Sequence, residues 1–314
     1  MDYKYLFGPV PSRRLGKSLG VDLVPFKVCS LNCVYCETGR TTNLTSERKE
    51  YIPIDEIILE LKDFFSERQD IDIITFSGAG EPTLNSGIGK IISFIKLNFP
   101  QYKLALITNG TLLTDSNLCE EIKDVDLILP SLDAVSENVF KKINRGKSNL
   151  SQAKIIQGLI NFNRNYNSRM WLEIFLIPGF NDSHEELMLL VDAAKKINPE
   201  RVQLNTLDRP GTESWVQPMA KKRLEEIAKL FLPLTAEVIA KFDYSKENNL
   251  ASEKVKEKIM AIISRRPCTI DDLQHMTLNS KSVILKEIGM LISENKIKIT
   301  TKERGDFFEL KGSR

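Results

Sequence analysis

Residues 21–36 read VDLVPFKVCSLNCVYC. An apolar, strand-like run delivers three cysteines, Cys29, Cys33 and Cys36, spaced C-x3-C-x2-C, with Tyr35 just before the last. Three thiolates this close can hold one face of a cubic iron–sulfur cluster, one ligand short of what four irons need. The iron without a thiolate is open to a small chelating molecule. Zinc would require a fourth ligand. Only His184 and His275 exist as histidines, and neither follows the cysteine spacing; Cys119 and Cys268 are remote. A zinc site and unliganded core cysteines stay open as the plainer alternatives.

The same arrangement, an apolar run followed by a polar or glycine-containing motif, recurs along the chain. Runs at 71–76, 103–108, 127–130, 171–177 and 202–207 end in SGAGEPTLN, NGTLL, SLDA, PGFND and DRPG. Between them, 54–68, 88–97, 117–123, 149–166, 183–196 and 220–230 carry helical spacing. Ser183 with Glu186 three residues on forms a capping-box pattern. Six βα units predict a parallel sheet with right-handed crossovers. The expected fold class is α/β, a partial (β/α)6 TIM-type barrel, because six units fall short of the eight of a closed barrel. Every motif then lies on the C-terminal rim, where barrels build their sites.

Around this body, Gly8, Pro9 and Pro11 exclude a long helix from residues 1–20, which read as a turn before the first strand. Arg13 and Arg14 stand there, either as part of an exposed turn or as a pair gripping a carboxylate or phosphate. Residues 236–242 read as a further short strand. The expected domains are the barrel at 1–242, a polar linker at 243–251 and a C-terminal winged-helix domain at 252–314. In the last, Thr269 and Asp272 form a capping box, 280–293 is a helix, and KIKIT and FFEL flank a KERGD hairpin. Residues 251–314 hold 13 Lys/Arg against 9 Asp/Glu in a chain of net charge +2, a mildly basic segment that suits an acidic partner or a plain solvated surface. Five cysteines, three of them clustered, make a poor disulfide framework and suit a reducing compartment. No run approaches the ~20 apolar residues of a membrane span, and the first residues lack the apolar region of a signal peptide. A cytoplasmic protein with no membrane association is expected.

CSLNCVYC after one strand, with GAGEP after the next, resembles the radical S-adenosylmethionine superfamily over about residues 5–240. The resemblance implies that Cys29, Cys33 and Cys36 hold a [4Fe–4S] cluster. It implies that S-adenosylmethionine chelates the unique iron and is split reductively to methionine and a 5′-deoxyadenosyl radical, which abstracts hydrogen from substrate. An electron donor such as flavodoxin or ferredoxin is implied as a partner. Gly80 and Glu81 match the family's GGE motif, which binds the methionine amino group, with Gly78 in the same turn and Ala79 where the first glycine usually stands. Tyr35 matches the aromatic near adenine; packing over the cluster is the plainer role. Ser131 and Asp133 match positions for ribose or carboxylate, and could equally cap a helix. Asn109 belongs to a similar polar position or to an Asn-Gly turn. Glu173, Gln203 and Asn205 are polar residues inside strands, facing either a cofactor or a watery lumen.

More narrowly, FGPVPSRRLGKSLG and QLNTLDRPGTE resemble a branch grouped with archaeal wyosine synthases, which rebuild a guanine in transfer RNA. Those enzymes carry a second cluster on three further cysteines, and only Cys119 and Cys268 remain here. Arg209, beside Asp208, is a substrate-side candidate or a salt-bridged loop residue. Three functions follow. The first is a radical enzyme acting on a large substrate such as transfer RNA or another nucleic acid, with Lys281, Lys286, Lys296, Lys298, Lys302 and Arg304 meeting phosphates. The second modifies or activates a protein or peptide, and an apolar outer face on 280–293 would favour it. The third is a non-catalytic iron–sulfur regulator that reads DNA.

Overall fold

In the computed structural model, residues 3–12, 14–67, 69–239, 255–277, 279 and 281–311 are described. Arg13 and the linker expected at 243–251 lie outside them. One sheet carries eight strands, of which β1 (Leu6–Ser12) runs antiparallel to β2 (Gly16–Val21). Parallel to β2 and in chain order come β5 (Ile73–Phe76), β6 (Lys103–Thr108), β7 (Leu127–Pro130), β8 (Arg169–Phe175), β9 (Arg201–Asn205) and the short β10 (Ala236–Val238). Two further strands of two residues, β3 (Val28–Cys29) and β4 (Asn43–Leu44), pair with each other. The large sheet does not close, since β1 and β10 are its outer strands. This mixed α/β architecture is consistent with a partial barrel.

Helices α1 (Ile54–Phe64), α2 (Ile88–Asn98), α3 (Ser116–Glu121), α4 (Glu137–Ile143), α5 (Gln152–Asn165), α6 (His184–Ile197) and α7 (Lys221–Ala228) connect the strands. Each buries one stripe; in α1 it is Ile54, Ile57, Leu61 and Phe64. These stripes meet Ile74, Leu104, Leu106, Ile128, Leu172 and Leu204 from alternate strand positions. The intervening positions, Ile73, Ala105, Leu127 and Leu129, gather with Leu15 in a second cluster on the other sheet face. Strand residues buried on both faces are what a helix-covered parallel sheet demands.

Three expectations change here. The strand before the cysteines ends at Val21, not at the cysteines themselves. Pro25 has no amide hydrogen to offer a ladder, and Lys27 takes a left-handed φ of 58°, so 22–27 leaves the sheet. Residues 6–21 form a hairpin rather than a simple turn. The Ser183–Glu186 capping box is half made: the Glu186 N–H bonds Ser183 Oγ, but its carboxylate accepts from Val135 and Ser136 N–H at the start of α4. By contrast, Thr269 and Asp272 bond each other reciprocally.

The C-terminal segment holds α8 (Val255–Arg265), α9 (Ile270–Thr277) and α10 (Lys281–Ser293), then an antiparallel hairpin of β11 (Ile297–Lys302) and β12 (Gly305–Leu310). Val255, Ile259, Ile263, Leu273, Ile284, Ile288, Leu291 and Phe308 form its own core. It touches the open sheet at two places, beside β1 and after β9. At the β1 end, Arg265 donates to Asp22 Oδ2 at 2.8 Å and lies 4.4 Å over the Phe7 ring. After β9, Arg209 and Asp208 pair with Asp272 and Arg304. Among the described residues no helix is long and apolar enough to cross a membrane.

Candidate functional site

The cysteine loop is held by backbone bonds from several elements. Val34 and Asn32 N–H donate to the carbonyls of Ile143 and Asn144, and Thr45 N–H donates to that of Cys29. Cys29, Cys33 and Cys36 are free and half-buried. Each sulfur has its own donors. Cys29 Sγ receives Leu31 N–H and Asn109 Nδ2, both at 3.5 Å. Asn144 Nδ2 stands 3.4 Å from Cys33 Sγ. Cys36 Sγ takes Lys27 Nζ at 3.0 Å and lies 3.1 Å from the Thr38 hydroxyl. Burial pushes the Cys29 thiol up to about 12, with the Glu81 carboxylate adding to it, and pushes Cys33 up further. Burial also opposes ionisation of Cys36, but the Lys27 ammonium and Thr38 outweigh it and hold that thiol below its ordinary range.

Lys27 is itself buried. Burial works against its charge, and the neighbouring cysteine sulfurs more than restore it. The sequence held one signal of it, a single basic residue inside the largely apolar run VDLVPFKVC.

The glycines and the carboxylate after β5 turn inward. Glu81 is buried, and its oxygens accept from Thr83 N–H at 3.1 Å, the hydroxyls of Thr83 and Thr108 at 2.6 and 2.7 Å, and Asn109 N–H at 2.7 Å. Rather than standing free for an ammonium, it fastens the β5 loop to the end of β6. Gly80 has a similar structural reason: a Cβ there would meet Val28 O at 2.4 Å, where Glu81 N–H reaches the same oxygen. Gly78 sits at φ +144°, with Asp22 Oδ1 where a Cβ would be. Both glycines let this loop press on the cysteine loop.

After β7, Asp133 gathers the centre of the site. Its Oδ2 accepts from the Tyr35 hydroxyl and from Asn144 Nδ2 at 2.7 Å, and its Oδ1 from Phe175 N–H at 2.9 Å. Burial raises its pKa to about 6 against these bonds. Tyr35 stacks on Phe175 with centroids 3.9 Å apart. Asn109 holds Ser30 Oγ and accepts from Thr111. Ser131, with Asn109, Asp133, Asn144 and Gln152, lines a cavity of about 10 Å³. Asn144 Oδ1 and Gln152 Oε1 are buried acceptors with no donor among the described residues. Asn205, half-buried at the rim, accepts from Thr206 N–H.

Six of the expected site residues are paired within the protein. Arg14 enters the sheet's inner face and pairs with Glu173, and it also reaches Gln203 at 3.2 Å. Arg14 thus stands inside the sheet rather than in an exposed turn, and Glu173 has an internal cation beside it. Arg209 is 2% exposed and binds Glu37 at 3.3 Å and Asp272 at 3.2 Å. It is a salt-bridged loop residue, not an open substrate contact. Arg304 is likewise spent on Asp208 and Asp272, while Lys296 and Lys298 pair with Glu294 and Glu309. Lys281 and Lys286 are exposed on α10, and Leu285 and Ile292 are exposed on the same helix. Cys119 and Cys268 are buried in different modules, bonded to the carbonyls of Leu113 and Arg266.

The donor set fits an iron–sulfur cluster: three thiolates, each with its own N–H or ammonium partner, the kind of outer contact that orients and tunes metal-bound sulfur. Comparison with known proteins agrees. The family model described as the radical SAM superfamily matches residues 23–191. The chain is 32% identical over 310 residues to UPF0026 protein MJ1312 of Methanocaldococcus jannaschii, covering 97% of this chain and 95% of that one. It is 35% identical over 298 residues to a Brachyspira hyodysenteriae protein named GTPase Obg, of which it spans 43%. A radical SAM methyltransferase from Sphaerobacter thermophilus shares the fold with a TM-score of 0.57 at 18% identity, over 70% of this chain and 65% of that one. So does TYW1 with a lysine–pyruvate adduct bound, with a TM-score of 0.50 at 17% identity, over 72% and 75%. The relatives indicate an enzyme, which displaces the non-catalytic regulator. With a match running from just after β2 to the middle of α6, this chain belongs to the radical SAM superfamily, whose enzymes use a [4Fe–4S] cluster and S-adenosylmethionine.

Proposed function

We propose that Cys29, Cys33 and Cys36 carry the cluster and that the enzyme generates a radical for hydrogen abstraction from a large substrate, transfer RNA in the first instance. The observation that carries the chemistry is the pairing of each sulfur with its own donor at the mouth of a parallel sheet. When bound, the cluster and S-adenosylmethionine supply reductive cleavage of the sulfonium to methionine and a 5′-deoxyadenosyl radical. The chain's own residues do the holding. Asn109 and Asn144 support Cys29 and Cys33, Asp133 fixes Tyr35 and Asn144, and the peptide edges of the Gly78–Glu81 turn and the half-buried Ser131 and Asn205 are left to meet the cofactor. A flavodoxin or ferredoxin would supply the electron.

Lys27 places a positive charge against one thiolate, which favours the reduced cluster. Lys27→Met should lower the cluster's midpoint potential in a redox titration. It should also cost about 10–100-fold in activity, as loss of an outer-shell partner does. An unchanged potential would remove Lys27 from this role.

For the substrate, the C-terminal module is read as a winged helix, with exposed Lys281 and Lys286 on α10 meeting phosphates. No second cluster is proposed, which separates this enzyme from the wyosine reaction while keeping a nucleic acid as substrate. Mass spectrometry of transfer RNA nucleosides, with and without the gene, tests it: one modified nucleoside should disappear. An identical profile, together with no salt-dependent affinity for bulk transfer RNA, would contradict it. One observation favours a second reading. Leu285 and Ile292 on α10 and Ile299 on β11 are exposed, an apolar set suited to a protein partner of the module.

A further inference from the structure

Two loops at the site's rim present an exposed aromatic pair. Phe180 follows β8 and Trp215 follows β9; their rings stack with centroids 4.7 Å apart at 28°, and they remain 36% and 41% exposed. Solvating two stacked rings is unfavourable for a surface with no use for them. Both loops are fastened to the cysteine site. Thr212 Oγ1 donates to Cys36 O and Glu213 N–H to Val34 O, each at 3.0 Å, two or three residues before Trp215. Beside Phe180, the buried Asn181 donates to the carbonyls of Asp133 at 2.8 Å and Phe175 at 2.7 Å. The stack itself, with each ring on a loop fastened to the site, pre-positions the pair.

The surroundings are cationic. Glu213 is shared by Arg145 at 2.6 Å and Arg40 at 3.1 Å, two positive charges on one carboxylate. A groove of about 320 Å³ opens alongside, with Arg40, Thr212, Glu213 and Ser214 on one wall and Thr300 and Lys302 of the C-terminal hairpin on the other.

We propose that Phe180 and Trp215 form a stacking platform for an unpaired nucleobase of a single-stranded nucleic-acid loop, with the adjoining phosphate in the groove between Arg40 and Lys302. The proposal rests on the nucleic-acid reading above and sharpens it: the substrate is gripped at the rim itself, not only through α10. Every base offers a π-face, so stacking tolerates sequence, while the cations track the backbone. An aromatic peptide would use the rings but would leave the surplus cations unmatched.

The probe is a labelled single-stranded oligoribonucleotide, with bulk transfer RNA in parallel, titrated against the full chain by fluorescence anisotropy at two salt concentrations. Trp215→Ala should weaken binding about 5- to 150-fold, the usual range for loss of one base stack. Trp215→Phe should retain most of the affinity, which a general folding defect would not allow. Arg40→Glu should weaken binding and flatten its salt dependence. Thermal melting of each variant controls for folding. If the wild-type chain binds RNA and Trp215→Ala binds equally well, the platform is wrong and the substrate reading survives. If the wild-type chain binds no RNA, both fall. Concentration-dependent self-association lost in Trp215→Ala would overturn the proposal in favour of a contact between two copies.

Discussion

Cys33→Ala is expected to leave a folded chain that retains no iron–sulfur absorbance after anaerobic reconstitution and forms no 5′-deoxyadenosine. The loss should exceed the ~100-fold that removal of an outer-shell partner can cost, because a ligand itself is gone. Cys29→Ala and Cys36→Ala should behave alike. No other thiol can step in: Cys119 is buried in α3 and bonded to Leu113 O, and Cys268 lies in the C-terminal module against Arg266 O. Cys119→Ala and Cys268→Ala should therefore keep both the absorbance and the product. A Cys33→Ala protein that still made 5′-deoxyadenosine would show that the ligand set is misassigned.

Arg209→Met should lower global stability by about 3–5 kcal/mol, the cost of breaking a buried ion pair from one side. Arg209 ties three segments: Glu37, next to Cys36; its neighbour Asp208; and Asp272 at the start of α9. Removing it takes one cation from both Glu37 and Asp272, while Arg304 stays on Asp208 and Asp272. Chemical denaturation would read the loss, and hydrogen exchange should show faster opening of α9 and of the cysteine loop together. Acid should act on the same contact gradually. Burial opposes ionisation of Asp272, but Arg209 and Arg304 outweigh it and draw its pKa from 3.8 down to about 2. A folded pKa below the unfolded one means a contribution that is complete above about pH 4 and is lost as pH falls towards 2. Stability equal to wild type in Arg209→Met would place the joint between the large sheet and the C-terminal segment elsewhere.

The order of strands and the rim position of their motifs were readable because each strand is a short apolar run ended by glycine, proline or a small polar residue. The limits of the first strand were not. Val21 to Val28 is largely apolar, interrupted by Asp22 and Lys27, and Pro25 marked the break; the pairing of β1 with β2 lies in a segment whose prolines read as turn. Residue types at the site were readable, but their directions were not. Glu81 was expected to face a ligand amine, whereas Thr83, Thr108 and Asn109 surround its carboxylate. Thr108 and Asn109 arrive from the end of β6, more than twenty residues on, and no local pattern announces them. Arg14 meeting Glu173 is the same lesson over a longer separation. Lys27 and Asn144 were missed because outer contacts to sulfur have no spacing rule. The half-made Ser183–Glu186 box shows a local motif overridden by a tertiary demand, the open N-terminus of α4.

The central claim is that three sulfurs on one loop hold a cluster that cleaves S-adenosylmethionine. The most direct measurement is anaerobic incubation of the reconstituted chain with dithionite and S-adenosylmethionine, with products read by liquid chromatography and mass spectrometry. The account predicts 5′-deoxyadenosine and methionine in equal amounts, both absent when reductant is withheld. A chain with its full iron and sulfide content that accepts an electron and leaves S-adenosylmethionine intact would contradict it.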